Sequence, residues 1–467
     1  MPITVNQRPS TLISGNTSRW NAAKNPVVYK FVRKDYNITA VANSGGALQI
    51  TVNANLATLT SAQGGPVVTG SVLYVNTDNG VYNGFYTVVT CTNAANSVVT
   101  FGASTYTAAA TTGYINLNQR TNYYIAVDVC NGVSNAVITS MRYAPARDGN
   151  ILADVAGPLI NSIGVDNVFD YSLSTVTSDE TTAYINFYVK YTEVWTGSSN
   201  AQTDDVANKF YALYGARQIG DGYGGNLAEY VAFENGTPKA KFLTAFSRAT
   251  LWMGYPFSLS IITSDNVTST SNFIMTYFDS AGGAISSSTA TKAANGGKLL
   301  RFMPVKQLAI PSNAVYMTVR WERTGPLDLT DPFFIDIKDP CSNPIMLWWR
   351  NSLGGDAWWM FEVNQEYGFR YDNGRKARRY KLFADNLTLN QFDAIQELVT
   401  LGEVYEPAYT ELTTSVNKSQ VRIGSQVYMV DANGKKTGVI VIPNEFITLT
   451  YKKRHKIQIT IELPEIY

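Results

Sequence analysis

Apolar and polar residues alternate along much of this chain. Leu48-Gln-Ile-Thr-Val52, Tyr123-Tyr-Ile-Ala-Val-Asp-Val129 and Ile185-Asn-Phe-Tyr-Val-Lys-Tyr191 all follow a period of two. That period sends successive side chains to opposite faces, so each run predicts a strand. At the end of the chain Ile457, Ile459, Ile461 and Leu463 alternate with Gln458, Thr460 and Glu462. This predicts a closing strand with the apolar set inward and the polar set outward. Further strands are expected at Val27–Phe31, Phe257–Ile262, Phe273–Phe278, Val315–Trp321, Gln420–Val430, Val439–Ile442 and Phe446–Tyr451. Asp78-Asn79-Gly80, Asn83-Gly84 and Asn433-Gly434 are hairpin-turn signals, and Lys452–Lys456 reads as the last turn.

Helical spacing is rarer. Ile151–Ile163 carries it, with Pro158 expected to kink or restart the helix. Val206, Phe210 and Leu213 predict a helix over Asp204–Tyr214. Phe392, Ile395, Leu398 and Val399 share one face of a third helix over Gln391–Leu401, closed by Gly402. Ala144–Gly149 reads as a linker, Gly220–Gly225 as a flexible loop and Ser280–Gly297 as a long mobile loop. The fold class expected is mainly β, with several β-sandwich-like domains and a few short helices. The expected layout is an N-terminal arm over 1–25 and a β-sandwich over 26–145. A larger β domain with short helices follows over 146–338, then a C-terminal α+β module over 339–467.

That last module opens on Pro344-Ile-Met-Leu347-Trp348-Trp349-Arg-Asn351-Ser-Leu-Gly354-Gly355-Asp356-Ala-Trp358-Trp359-Met-Phe361, which holds four of the eight tryptophans. It reads as a strand, a Gly-Gly turn and a returning strand. Adjacent tryptophans in a strand face opposite ways, so each pair predicts one indole inward and one outward. Outward indoles imply a contact, with the preceding domain or a neighbouring subunit.

Composition sharpens this picture. Charged residues make up 16% of the chain, below the roughly 25% of an ordinary soluble domain. Between Tyr36 and Arg120 the only charge is Asp78. A β segment so free of charge invites edge-to-edge association, which favours a subunit of a larger assembly. Lys and Arg number nine against four Asp and Glu in 1–150, 13 against 18 in 151–340, and 15 against 14 in 341–467. Alternating signs are compatible with head-to-tail contacts between subunits. Cys91, Cys130 and Cys341 lack metal spacing and read as free thiols. Met1-Pro-Ile-Thr has no basic start and no apolar run, and no stretch approaches the ~20 apolar residues of a membrane helix. Synthesis in a cytoplasm, with no membrane insertion, is expected.

Candidate chemistry is sparse. One histidine, His455, reads as a solvated turn residue and leaves little room for a Ser/His/Asp site or a His-based metal cluster. Gly296-Gly-Lys298 is followed by Leu and lacks the upstream Gly of a phosphate loop. Asp204, Asp205, Asp221 and Asp356 are the carboxylates a glycosidase-like site would draw on, but nothing pairs them. Asp356 reads as a turn residue bonding its own backbone. Asp431-Ala-Asn433-Gly434 starts like a calcium loop but lacks the Glu at position twelve, so a hairpin turn is preferred. The basic runs 375–379 and 452–456 are balanced by acidic residues, so no nucleic-acid partner is expected. No catalytic residue, cofactor or metal is assigned.

The Trp stretch resembles the LxWxNxxGGxDxWxF pattern of structural proteins from tailed bacteriophages of Bacteroidetes-type bacteria. The matching residues are Leu347, Trp349, Asn351, Gly354, Gly355, Trp358 or Trp359, and Phe361, and the closing Ile461-Glu-Leu-Pro464-Glu is similar to the ending of those chains. The chain departs from the pattern at Asp356-Ala357. The resemblance covers 340–467 specifically. It implies a non-enzymatic virion component of tail, neck or baseplate, assembling with copies of itself and with other virion proteins. The structural motif it implies is Leu347, Trp348, Trp349, Asn351, Gly354, Gly355, Asp356, Trp358, Trp359 and Phe361. The alternative is a receptor-binding or fibre protein that stacks a host surface glycan on aromatics such as Trp358. A two-carboxylate capsule depolymerase is a third reading, disfavoured by the absence of a fixed-period repeat.

Overall fold

The computed structural model describes residues 3–9, 12–13, 16–17, 19–108, 110, 112–117, 122–146, 150–163, 177–215, 227–292, 296–304, 310–340, 344–372, 375–401, 427–449 and 454–463. The protein is mainly β, built from several sheets, with two α-helices among the described residues. The chain divides into two compact units. The smaller takes Met1–Pro9, Pro26–Leu159 and Asn186–Phe210, and the larger takes Ser10–Asn25, Ile160–Ile185 and Tyr211–Tyr467.

In the smaller unit the strands Tyr36–Ser44, Ala47–Val52, Val72–Thr77, Gly84–Cys91, Val98–Phe101 and Gly113–Leu117 close into a barrel. Alternation works as expected: Leu48, Ile50, Val52, Leu73, Val75, Val99, Phe101, Ile115 and Leu117 all fill the interior. The sandwich expected over 26–145 is thus a barrel for much of its length, and the difference explains the missing charges. A closed barrel has no sheet edge to guard, so charge-free strands carry no edge-pairing hazard. The remainder of the unit is a three-stranded sheet and strands of a seven-stranded one. Val28–Val32 lies between Thr4–Gln7 and Asn150–Asp154. Tyr124–Asn131 pairs with Val137–Tyr143 and with Tyr184–Trp195. Phe31 packs on Tyr191 across the two, with centroids 4.9 Å apart.

The first residues are a strand of their own unit. Ile3 is buried, its N–H donates to Glu193, and Arg8 forms a two-point ion pair with Asp205. Within the larger unit, Trp20–Ala22 pairs in parallel with Tyr211, Ala212 and Leu213 of the strand Phe210–Leu213. The helix expected over 204–214 is therefore absent. Its i, i+4, i+7 spacing is incidental, because strand pairing to Trp20–Ala22 satisfies that backbone instead. The helix expected over 151–163 is shorter, Ala156–Ser162, and follows the strand Asn150–Asp154. Pro158 sits in its first turn, where a missing N–H costs nothing.

Three sheets build most of the larger unit. A four-stranded sheet holds Thr177–Asp179, Leu299–Phe302, Leu259–Thr263 and Val231–Ala232 in that order. A six-stranded sheet runs Ala249–Trp252, Phe333–Lys338, Tyr316–Arg323, Ser271–Phe278 and Ala284–Lys292, with Leu327–Asp328 paired to Tyr316–Arg323. Ala284–Lys292 corrects the mobile loop expected over 280–297. Its Ala, Ser and Thr residues lack a hydrophobic alternation, yet they pair with Ser271–Phe278 along their whole length. A seven-stranded sheet runs Lys436–Gly438, Val427–Val430, Ile345–Arg350, Asp356–Asp372, Arg375–Leu387, Arg454–Glu462 and Ile440–Leu449. One apolar core extends from Ala232 to Ile461, across the boundary expected at 338 and 339. Phe273, stacked on both Phe302 and Trp321, ties the first two sheets together.

The helix Leu389–Leu401 forms as the periodicity predicts. Thr388 and Gln391 cap it reciprocally, each side chain accepting the other's backbone N–H. Phe392, Ala394, Ile395 and Leu398 are buried, and the helix packs against Arg454–Glu462. His455 is buried and packs its ring, tilted, against Phe392 at 5.3 Å, so it is no solvated turn residue. Ile457, Ile459 and Ile461 fill the core, while Glu462, expected outward, is buried against Arg379. Asp431–Gly434 is the expected turn, with Asp431 accepting the N–H of Asn433 and of Lys435. Gly220–Gly225, Asp221, Cys341, Gly402, residues 420–426, Lys452, Lys453 and Pro464 lie outside the described residues.

Candidate functional site

The Trp hairpin is Ile345–Arg350 joined to Asp356–Asp372 by the turn 351–355. Trp348 pairs with Trp358, Leu347 with Trp359, Ile345 with Phe361, and Arg350 with Asp356. This register puts Met346, Trp348, Arg350, Asp356, Trp358 and Met360 on one face. Leu347, Trp349, Trp359 and Phe361 occupy the other. The two-faced placement is as the sequence predicts, but the outward indoles are absent. Trp348, Trp349, Trp358 and Trp359 are all at most 7% exposed. Residues of the segment 146–338 cover both faces. Trp359 stacks on Phe246 at 5.9 Å and meets the edge of Trp252 at 5.4 Å. Trp358 donates its indole N–H to Ser258 Oγ at 3.1 Å. A buried Trp358 offers no ring face to a glycan.

Asn351 builds the turn. Its backbone N–H donates to the Gly355 carbonyl, and its side-chain oxygen accepts the N–H of Leu353 and of Gly355. Its amide then donates to the Leu243 carbonyl at 2.9 Å, docking the tip on the preceding chain. The two glycines are required by that docking. Gly354 has φ of +83°, and a Cβ there would stand 2.5 Å from the Tyr214 carbonyl oxygen. A Cβ on Gly355 would stand 1.9 Å from the Leu243 carbonyl oxygen. No L side chain fits either contact.

Asp356 corrects the expectation of a turn carboxylate. It is the centre of a buried ion cluster between the Trp hairpin and the four-stranded sheet. Arg301 donates to it through Nε at 2.5 Å and through a terminal nitrogen at 3.2 Å. Ser258 Oγ donates at 2.6 Å and the Trp348 indole N–H at 3.1 Å. Arg350 lies 3.6 Å away and bonds Glu180 at 3.2 Å, and Glu180 also pairs with Arg301. Two arginines and two carboxylates thus close a neutral ring of charges. Burial by itself would raise the Asp356 pKa. Arg301 and Arg350, with the hydrogen bonds from Arg301 and Ser258, outweigh it and hold the carboxyl well below the usual range.

Lys436 borders the cluster. Its ammonium stands 3.7 Å from the Trp348 ring centroid and 5.7 Å from that of Tyr428. Loss of hydration lowers its pKa to about 7. The pull of Asp356 and Glu180 toward the charged form is opposed by Arg301 and Arg350.

The residues singled out in the sequence therefore come together as one hairpin, but its chemistry depends on partners the sequence did not reveal. Glu180, Ser258 and Arg301 lie about 55 to 180 residues upstream of Asp356. One signal was available: Arg301 interrupts the otherwise apolar Leu299-Leu-Arg-Phe302, as Arg350 ends Ile345–Arg350. Charges on fully buried strands need partners. Two other candidate carboxylates have partners in their own unit. Asp205 is held by Arg8, and Asp204 pairs with Lys190. Among the described residues no group of three or more His, Cys, Asp or Glu is arranged to hold a metal ion, and Cys91 and Cys130 are free. No described helix is long and apolar enough to cross a membrane. Asp356 accepts from Arg301, Ser258 and Trp348 and is buried with Arg350 beside it, so the cluster ties the hairpin to the four-stranded sheet. No protein-family model matches the chain, and no curated protein matches it.

Proposed function

We propose that the chain is a non-enzymatic structural component of a tailed-phage virion, in the tail, neck or baseplate, assembling as a symmetric oligomer. The observation that carries this reading is the complete use of the phage-like motif inside the fold. Asn351 and the two glycines seat the hairpin tip, the indoles fill two layers, and Asp356 closes an ion ring. A motif used in this way serves architecture. The barrel adds support. Val68, Val81, Phe85 and Val89 are exposed on or beside its strand Gly84–Cys91. Exposed apolar surface of this kind suits contact with neighbouring subunits. The test is mass spectrometry of purified particles together with antibody labelling in electron micrographs. Stoichiometric presence at the tail, neck or baseplate is expected, and absence from purified particles refutes the reading.

One observation favours the alternative of a glycan-binding fibre protein. Phe278, Tyr316 and Phe334 form an aromatic row on the outer face of the six-stranded sheet, with the Arg248 guanidinium over Tyr316 and Phe334. Saturable binding on a glycan array, lost in Y316A, would favour that role over a purely structural one.

A further inference from the structure

Among the described residues, the outer strands of the four-, six- and seven-stranded sheets of the larger unit are guarded, with one exception. Thr177–Asp179 and Lys436–Gly438 are three residues long, and Val231–Ala232 is two. All four residues of Ala249–Trp252 are buried. Ile440–Leu449 carries Pro443, which removes a donor from the edge. Short strands, cover and proline are the usual devices against unwanted pairing. Ala284–Lys292 is neither short, covered nor proline-bearing, and its bulge at Ile285 and its Lys292 stand at its two ends, leaving Ser286–Thr291 regular. It is nine residues long and ends its sheet. Ala284, Ser286, Ser287, Thr289 and Thr291 are exposed, and its one charge is the terminal Lys292.

We propose that Ala284–Lys292 is a strand-addition edge on which a second copy of this chain pairs antiparallel about a two-fold axis. The inference rests on the reading of the chain as a self-assembling virion protein and supplies the surface. A two-fold interface must be self-complementary, since the same patch serves both copies. This strand meets that condition when the axis passes through Ser288. Thr289 of one copy then lies opposite Ser287 of the other and Ala290 opposite Ser286, while Lys292 reaches the end of the other strand that lies beyond the bulge at Ile285. No like charges face each other, and every facing side chain along the centre is small. The ends are complementary in charge. Asp279 is held beside Ala284 by the turn, donating its N–H to the Gly283 carbonyl and accepting the N–H of Ala281 and of Gly283. Lys292 of each copy is thus brought to Asp279 of the other, at both ends of the pairing. Main-chain hydrogen bonds supply the affinity, as in other strand additions. The result is one sheet continuous across the axis.

The experiment is sedimentation velocity on the full chain, wild type against S287K/T289K and K292E. The double variant places lysine opposite lysine across the axis, at exposed positions where the fold does not depend on them. Thermal melts monitor folding. The expected result is an oligomeric wild type whose mass falls by half in S287K/T289K with an unchanged melt. K292E should weaken association about three- to tenfold, with less effect at high salt. Wild-type mass in both variants overturns the inference and leaves the virion reading untouched. A monomeric wild type at high micromolar concentration also overturns it, and the particle proteomics then judges the virion reading by itself.

Discussion

Neutralising Asp356 is the sharpest perturbation of the hairpin. D356N keeps the shape of the side chain and removes its charge. Arg301 and Arg350 then face Glu180 alone, leaving one uncompensated positive charge where Arg301, Arg350 and Glu180 are each less than 10% exposed. Removing one partner of a buried ion pair costs about 3–5 kcal/mol, most of it the penalty on the charge left behind. Arg350→Met has the opposite imbalance, two carboxylates against Arg301. The double variant D356N/R350M restores neutrality with the Glu180–Arg301 pair, so its cost should fall short of the sum of the singles by about 2 kcal/mol or more. Equilibrium urea unfolding followed by tryptophan fluorescence measures this directly, because four of the eight indoles sit in the hairpin. A D356N cost below about 1 kcal/mol, or additivity within about 0.5 kcal/mol, refutes the neutral-ring account. The acid limb gives a second reading. A carboxyl held below its ordinary range contributes stability that is fully present above about pH 4 and lost as pH falls through its folded value. Wild type should lose that contribution only under strongly acidic conditions, and D356N should lack this loss.

Other predictions concern the borders of the same hairpin. Lys436 is held at about 7 against an ordinary 10.5, so the unfolded chain binds more protons between those values and stability rises with pH across that window. K436M should flatten this rise and stabilise the protein at pH 7, by roughly 2–3 kcal/mol after allowing for partial exposure, read from urea midpoints at pH 7 and pH 10. G355A drives a methyl group into the Leu243 carbonyl and should cost more than about 3 kcal/mol, seen as lost soluble yield or a collapsed melt. G368A, where a Cβ meets nothing within 4 Å, is the control and should stay within about 1 kcal/mol of wild type.

How much of this was legible depended on the range of the interaction. Period-two runs such as Leu48–Val52 and Ile457–Ile461 located strands, and the spacing of Phe392, Ile395 and Leu398 located the helix Leu389–Leu401, because those signals are local. Ala284–Lys292 was misread because its residues carry weak strand preference and its order comes from pairing with Ser271–Phe278. Barrel closure was invisible for the same reason: it depends on which strand finds which. The Trp motif was found, but its tip was judged by turn chemistry alone. Asn351 and the glycines are also answers to the carbonyls of Leu243 and Tyr214, more than 100 residues upstream, and Asp356 is an answer to Arg301. His455 was judged by its basic neighbours, whereas Phe392 decides its surroundings.

The interleaved course of the chain has a consequence for synthesis. The nascent polypeptide deposits residues in the smaller unit up to Pro9, in the larger over Ser10–Asn25, then returns twice before Tyr211. The barrel strands are complete once Leu117 emerges from the ribosome. Trp20 must wait for Thr263, and Glu180 for Arg301 and then Arg350, before either finds its hydrogen-bond or charge partner. Translation therefore finishes one unit early and holds the other open until the tryptophan hairpin arrives near the end. A product truncated before the hairpin would expose an unmatched Glu180 and an unfilled apolar layer, a state prone to aggregation. The hairpin acts as a late seal on the larger unit.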